Sequence, residues 1–139
     1  MNHAKPVLID RLDHIVLTVA SIERCCDFYR RVMGMQVVTF AQGRTALAFG
    51  RQKINLHLAG HEYQPHAHAP TPGSADVCFI TTTPLEQAMA HVRGAGVEIE
   101  LGPVDRTGAI GALKSFYFRD PDLNLIEISN YIDDVKTPP

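Results

Sequence analysis

No stretch of this chain reaches the roughly 18 uninterrupted apolar residues that a membrane-spanning helix requires. The polar start MNHAKP also lacks the apolar segment of a secretory signal, so a soluble, unexported protein is expected. Cysteine is scarce: Cys25, Cys26 and Cys78 are the only three, without CxxC spacing, and the adjacent Cys25 and Cys26 are badly placed to bridge each other. Reduced thiols in a cytoplasm follow as the expectation. Neither sign of charge is in surplus, with 13 Lys plus Arg against 15 Asp plus Glu and a formal net charge of −2. Without a basic stripe or an acidic tail, nucleic acid and membrane surfaces fall away as partners and small molecules remain. What the chain does have is 139 residues, 45% of them hydrophobic, which is enough for one compact core and too little for two domains of usual size.

Its order of elements is written twice. LDHIVLTV (12–19) reads as a strand, and SIERCCDFYRRVMG (21–34) as a helix capped by Ser21 and ended by Gly34. Three short β-like runs follow at 35–40, 45–49 and 53–59, separated by turn chemistry. Residues 60–74 carry three prolines and two glycines without an apolar period, and so form a linker. Then a strand (75–81), a helix (84–96, with Pro84 in its first turn) and strands at 97–101, 115–118 and 124–129 repeat the pattern. His14 precedes Asp76, and Gly34 precedes Gly96, by the same 62 residues. The expected fold is α+β: one domain over 9–132, built from paired βαβββ modules at about 9–59 and 75–132 that form a half-barrel cup.

Side chains alternate across a strand, so each run divides into a helix-facing set and an opposite set. Ile15, Leu17 and Val19 oppose His14, Val16 and Thr18; Ile54, Leu56 and Leu58 oppose Asn55, His57 and Ala59. Val77 and Phe79 oppose Asp76, Cys78 and Ile80, while Ile126 and Ile128 oppose Leu125, Glu127 and Ser129. If the modules curl into one cup, its wall holds His14, His57, Asp76 and Glu127. Two imidazoles and two carboxylates suit a borderline divalent ion such as Ni, Zn, Fe, Mn or Co. His61 and Glu62 begin like HExxH, but Pro65 would break the helix that motif needs, and His61, His66 and His68 read as loop residues. Arg106 lies in the glycine-punctuated segment 102–112, read as a mobile loop from which a guanidinium can clamp a substrate carboxylate or phosphate. Tyr117, which shares a strand face with Arg119, offers a phenol donor, and Arg119 is expected to pair Asp120 or Asp122.

LDHIVLTVASIERCCDFYRRVMGM resembles the first strand and helix of glyoxalase I and its relatives, and FRDPDLNLIEIS resembles the DPDGxxIEL signature that ends the same fold. The chain is therefore similar, from about Arg11 to Tyr131, to the vicinal-oxygen-chelate superfamily, and to its glyoxalase-domain-containing and virulence-associated branch. That resemblance implies a divalent metal with first-strand and last-strand ligands carried over to His14 and Glu127. Fourth- and fifth-strand ligands fall on His57 (or Asn55, by an alignment shifted two residues) and Asp76. The implied activity is a glyoxalase-like lyase or isomerase on a small hydroxy-carbonyl or thiohemiacetal substrate, with Glu127 as base. The alternatives are Fe(II) extradiol-type dioxygenase chemistry, whose fifth-strand His is here Asp76, and non-catalytic binding of a small molecule or drug. A homodimer is expected, because two sheets of this length leave strand edges to cover, and the 60–74 linker permits a cup closed within one chain or one shared between two.

Overall fold

The computed structural model describes residues 5–132. Strand β1 (His14–Val19) feeds helix α1 (Ile22–Met33) through Ser21, whose Oγ accepts the Arg24 N–H at 3.2 Å. Gly34, left-handed at φ 66°, closes the helix by donating its N–H to the Arg30 carbonyl. Glu23 in the first turn and Arg30 and Arg31 in the last complement the helix dipole. β2 (Gln36–Phe40), β3 (Arg44–Phe49) and β4 (Gln52–Leu58) complete the first module. The second runs β5 (Asp76–Ile80), α2 (Leu85–Gly94), β6 (Leu101–Thr107), β7 (Ala112–Arg119) and β8 (Leu125–Tyr131).

The modules give two four-stranded mixed sheets of identical order, β1-β4-β3-β2 and β5-β8-β7-β6, each with one parallel pair at β1–β4 or β5–β8. The repeat read from the sequence is thus a repeat of topology, and no closed barrel forms among the described residues. Leu17, Val19, Ile54 and Leu56 from the first sheet join Phe116, Phe118, Ile126 and Ile128 from the second, with both helices, in one core cluster. Strand parity is therefore as expected: the apolar sets face the helices. Because both sheets spend that side on the same core, their opposite sides lie on the outside of the chain. Tyr29 of α1 ties the modules together by donating to Asp120 Oδ2 at 2.7 Å in the buried turn between β7 and β8.

One element departs from expectation. Residues 102–112 are not a mobile loop; most of them form β6, so the strand lies at Leu101–Thr107 and not at 97–101. A register shift between Leu101 and Val104 absorbs Gly102 and Pro103, and the outer-edge place of β6 means that the N–H missing from Pro103 need not serve a ladder. Gly102, at φ 130°, lies so close to β7 that a Cβ there would sit 2.6 Å from that of Phe116. A strand that opens with Gly-Pro has no apolar alternation, and its composition alone reads as a turn.

Candidate functional site

On the outer side of the first sheet, the parallel register sets His14 beside Lys53, Val16 beside Asn55 and Thr18 beside His57. His14 is exposed, and its Nδ1 lies 2.8 Å from Asp13 Oδ1, an arrangement that leaves Nε2 as the open ring nitrogen. This contact also holds the Asp13 carboxyl below its usual range. His57 lies four residues further along the sheet than the His14 row, about 13 Å at a strand's rise per residue. Two imidazoles with that backbone separation do not meet on one ion, whose bonds to nitrogen are about 2.1 Å long. His57 is moreover engaged elsewhere: it is buried, and its Nε2 lies 3.3 Å from the Arg44 guanidinium, which can only donate. Burial and that neighbouring cation both hold its imidazole below the ordinary value, Glu62 opposing them. Between the two histidines stands Asn55, 6% exposed, its Oδ1 buried and without a partner.

The second sheet's outer side is centred on half-buried Glu127. The register puts Cys78 on one flank and Tyr117 on the other. Tyr117 accepts the Arg106 Nε–H on its hydroxyl at 2.8 Å. Burial, opposed by that donor, raises the phenol's pKa, which keeps it protonated and able to donate in turn. Ser129 donates to Glu127 Oε2 at 3.3 Å and lies 2.6 Å from Ser115, oxygen to oxygen. Cys78 is 3.3 Å from the same Ser129 hydroxyl, and burial pushes its thiol up, away from thiolate chemistry. Asp76 is exposed at the head of β5, one step diagonally from Glu127. Arg119 does not pair Asp120 or Asp122; both its Nε and Nη2 reach Glu100 at 3.0 Å.

The four residues read as metal ligands are thus divided, His14 and His57 on one sheet and Asp76 and Glu127 on the other. No three of His, Cys, Asp and Glu gather within this chain as ligands would, among the described residues. A cup closed within one chain needs the outer faces to turn toward each other, whereas the helix-facing sides do. Arg106 and Tyr117, both read from the sequence as substrate-binding, are brought together, on paired strands and not on a loop. Arg44 was missed because the third strand was started one residue late, at Thr45; alternation from Ala46 and Ala48 back to 44 would have found it.

A family profile described as the Glyoxalase/Bleomycin resistance protein/Dioxygenase superfamily matches residues 11–128. The chain belongs to that superfamily. Within it, virulence protein STM3117 of Salmonella typhimurium is 55% identical over 126 residues, 91% of this chain and 88% of that protein. The glyoxalase domain-containing protein RDO1 of Mycosarcoma maydis is 51% identical over 122 residues, 88% of this chain and 69% of that protein. An integron cassette protein from the mobile metagenome of V. cholerae, 57% identical, superposes with a TM-score of 0.90 over 91% of this chain and 99% of its own. Two remote structures share the superfamily's fold: lactoylglutathione lyase from Agrobacterium tumefaciens (21% identical, TM-score 0.67, 88% of this chain and 94% of that one) and TnmS3, an antibiotic binding protein from Streptomyces (20%, 0.69, 91% and 99%). Members of this superfamily often use a divalent metal, commonly bind small molecules and often dimerise. No helix among the described residues is long and apolar enough to cross a membrane.

Proposed function

We propose that this chain is a metal-dependent, glyoxalase-like enzyme for a small vicinal-oxygen substrate, and that its cup is built by the first sheet of one copy and the second sheet of another. The observation that carries the reading is the division of His14 from Glu127, each on the outer side of a different sheet and each already oriented, by Asp13 and by Ser129 respectively. A two-fold pairing of outer faces joins the two sets twice over. The donors fit a borderline divalent ion: the open Nε2 of His14, the carboxylates of Asp76 and Glu127, and the unpartnered Oδ1 of Asn55, which serves better than His57 with its ring turned to a guanidinium. The whole span 9–132 acts as the unit, in the cytoplasm.

When bound, the ion supplies Lewis-acid polarisation of the substrate oxygens. Glu127 takes the proton from the hydroxyl-bearing carbon and returns it to the neighbouring carbonyl carbon, its half-buried carboxylate oriented by the Ser129 hydroxyl. Negative charge growing on the adjacent oxygen meets the Tyr117 O–H, which Arg106 polarises through its Nε–H. Elemental analysis of the purified protein tests this: about one divalent ion per chain is expected, strongly reduced in His14→Ala and in Glu127→Ala. Retention of the full metal content by both variants ends the reading. A second reading, intact binding of a small molecule, is favoured by the lack of a ligand cluster among the described residues of one chain. Its signature is a metal-free protein that is stabilised by small molecules it does not alter.

A further inference from the structure

The first sheet's outer side carries two cations, Arg44 and Lys53, besides the groups named above as metal donors. β2–β4 register places Phe40, Arg44, Ala46, Ala48, Lys53 and His57 on this face, with the two alanines leaving room above the sheet. Across that gap reach two cations: Lys53 Nζ sits 3.6 Å from the centroid of the Phe40 ring, and Arg44 Cζ sits 5.3 Å from the same centroid. Tyr63, from the segment joining the modules, covers the guanidinium at 4.3 Å and the His57 ring at 5.4 Å.

Two of the buried donors in this group have no acceptor among the described residues. Neither Arg44 nor Lys53 comes within ion-pair distance of a carboxylate among the described residues. Of the five N–H donors a guanidinium carries, one is directed at His57, and Nε is buried without an acceptor. Since the His57 Nε2 accepts from Arg44, its proton resides on Nδ1, and Nδ1 too is buried and unpartnered. Half-buried cations held by aromatic rings, with buried donors pointing at no acceptor, are destabilising until an anion arrives. Ring stacking alone would hold Arg44 in place, but it leaves those donors unused.

We propose that Arg44 and Lys53 bind a carboxylate or phosphate group carried by the substrate. The planar guanidinium presents paired N–H groups to two oxygens of such a group, and the ammonium adds a point charge. Lys53 leaves the sheet beside His14 and its ammonium reaches the Phe40 ring, so the anion lies on the same outer face as His14, toward its His57 end. The substrate class of the proposed enzyme is thereby narrowed to hydroxy-carbonyl compounds with an anionic end. This assignment rests on the proposed function for the cup's identity and stands apart from it in its test.

Isothermal titration of the full chain with inorganic phosphate, and separately with malonate, at low ionic strength gives the readout. Arg44→Gln is expected to weaken binding at least about tenfold and Lys53→Gln several-fold, with Arg44→Lys recovering part of the loss. Binding by the parent is expected to be the same with and without EDTA, because no metal is needed. Whichever of phosphate and malonate binds more tightly identifies the group. Equal binding by parent and Arg44→Gln, or no binding by the parent, overturns the proposal. So does a loss of binding on EDTA treatment equal to that in Arg44→Gln, which puts the anion on the metal and spares the enzyme reading. If Arg44→Gln instead weakens the dimer while phosphate binding is unchanged, the cations serve a partner's carboxylates and the proposal fails. Metal retention by His14→Ala and Glu127→Ala, alongside anion loss in Arg44→Gln, removes the enzyme reading and leaves the anion site. Circular dichroism of each variant separates lost binding from lost folding, with Arg44→Lys as the substitution that preserves charge.

Discussion

Replacing Tyr29 by Phe deletes a single oxygen from the centre of the molecule and measures what holds the two modules together. Tyr29 is fully buried, and its hydroxyl donates to Asp120 Oδ2 at 2.7 Å. Burial and the charge of Asp120 push the phenol's pKa far above its usual value, so the donor stays protonated at every working pH. Asp120 is itself 3% exposed and accepts three further hydrogens: the N–H groups of Asp122 and Asn124 at Oδ1, and Asn124 Nδ2 at Oδ2. A hydrogen bond to a buried charge contributes about 1.5–3 kcal/mol. Oδ2 keeps one donor after the substitution, and Phe leaves almost no void, so the lower part of that range applies, about 1.5–2 kcal/mol. For a chain of this length that is a fall in Tm of roughly 4–8 °C. Urea unfolding at fixed chain concentration is the assay, with a lower midpoint and an unchanged slope expected. A loss below about 0.5 kcal/mol, the level of a neutral surface change, would refute the reasoning that this contact clamps α1 to the β7–β8 turn.

Gly102→Ala forces a Cβ to within 2.6 Å of the Phe116 Cβ at φ 130°, and should cost more than about 2 kcal/mol in thermal unfolding while displacing the Arg106 strand; an unchanged Tm contradicts the close packing of β6. Mixing His14→Ala chains with Glu127→Ala chains should restore metal binding to about one site per mixed dimer, and a mixture as poor in metal as its parents would show that the cup is not shared. Asn55→Ala should lower metal content more than His57→Gln does; the reverse order in elemental analysis restores His57 as the ligand. His57 also sets a pH dependence: its folded pKa lies below the ordinary value of about 6.5, so between the two values the unfolded chain holds the extra proton and stability falls as pH falls. Urea midpoints measured from pH 7.5 down to 5 should decline less steeply for His57→Gln than for the parent, and parallel declines would show that the ring is not held neutral.

The strand faces were legible because alternation is a local property of an extended backbone: whichever residues oppose Ile15, Leu17 and Val19 must include His14, whatever the rest of the chain does. The same holds for the α1 caps, where Ser21 and Gly34 act within one turn of the helix they bound, and for the repeat, which both sheets express as a single topology. Gly102 and Pro103 show where local reading stops: their composition signals a turn, and only pairing with β7 makes the segment a strand. Arg119 likewise found Glu100 across a strand and not its neighbours Asp120 and Asp122, since a bidentate contact depends on which backbone lies alongside. The separation of His14 from His57 came from register, and the engagement of His57 by Arg44 from the pairing of β3 with β4. By itself, then, the sequence determined which side chains share a face, because that depends on residues two apart. Which faces meet was decided by tertiary structure, because the apolar sides of two sheets and two helices shed most water by closing on one another, and that leaves the polar faces of one chain turned outward.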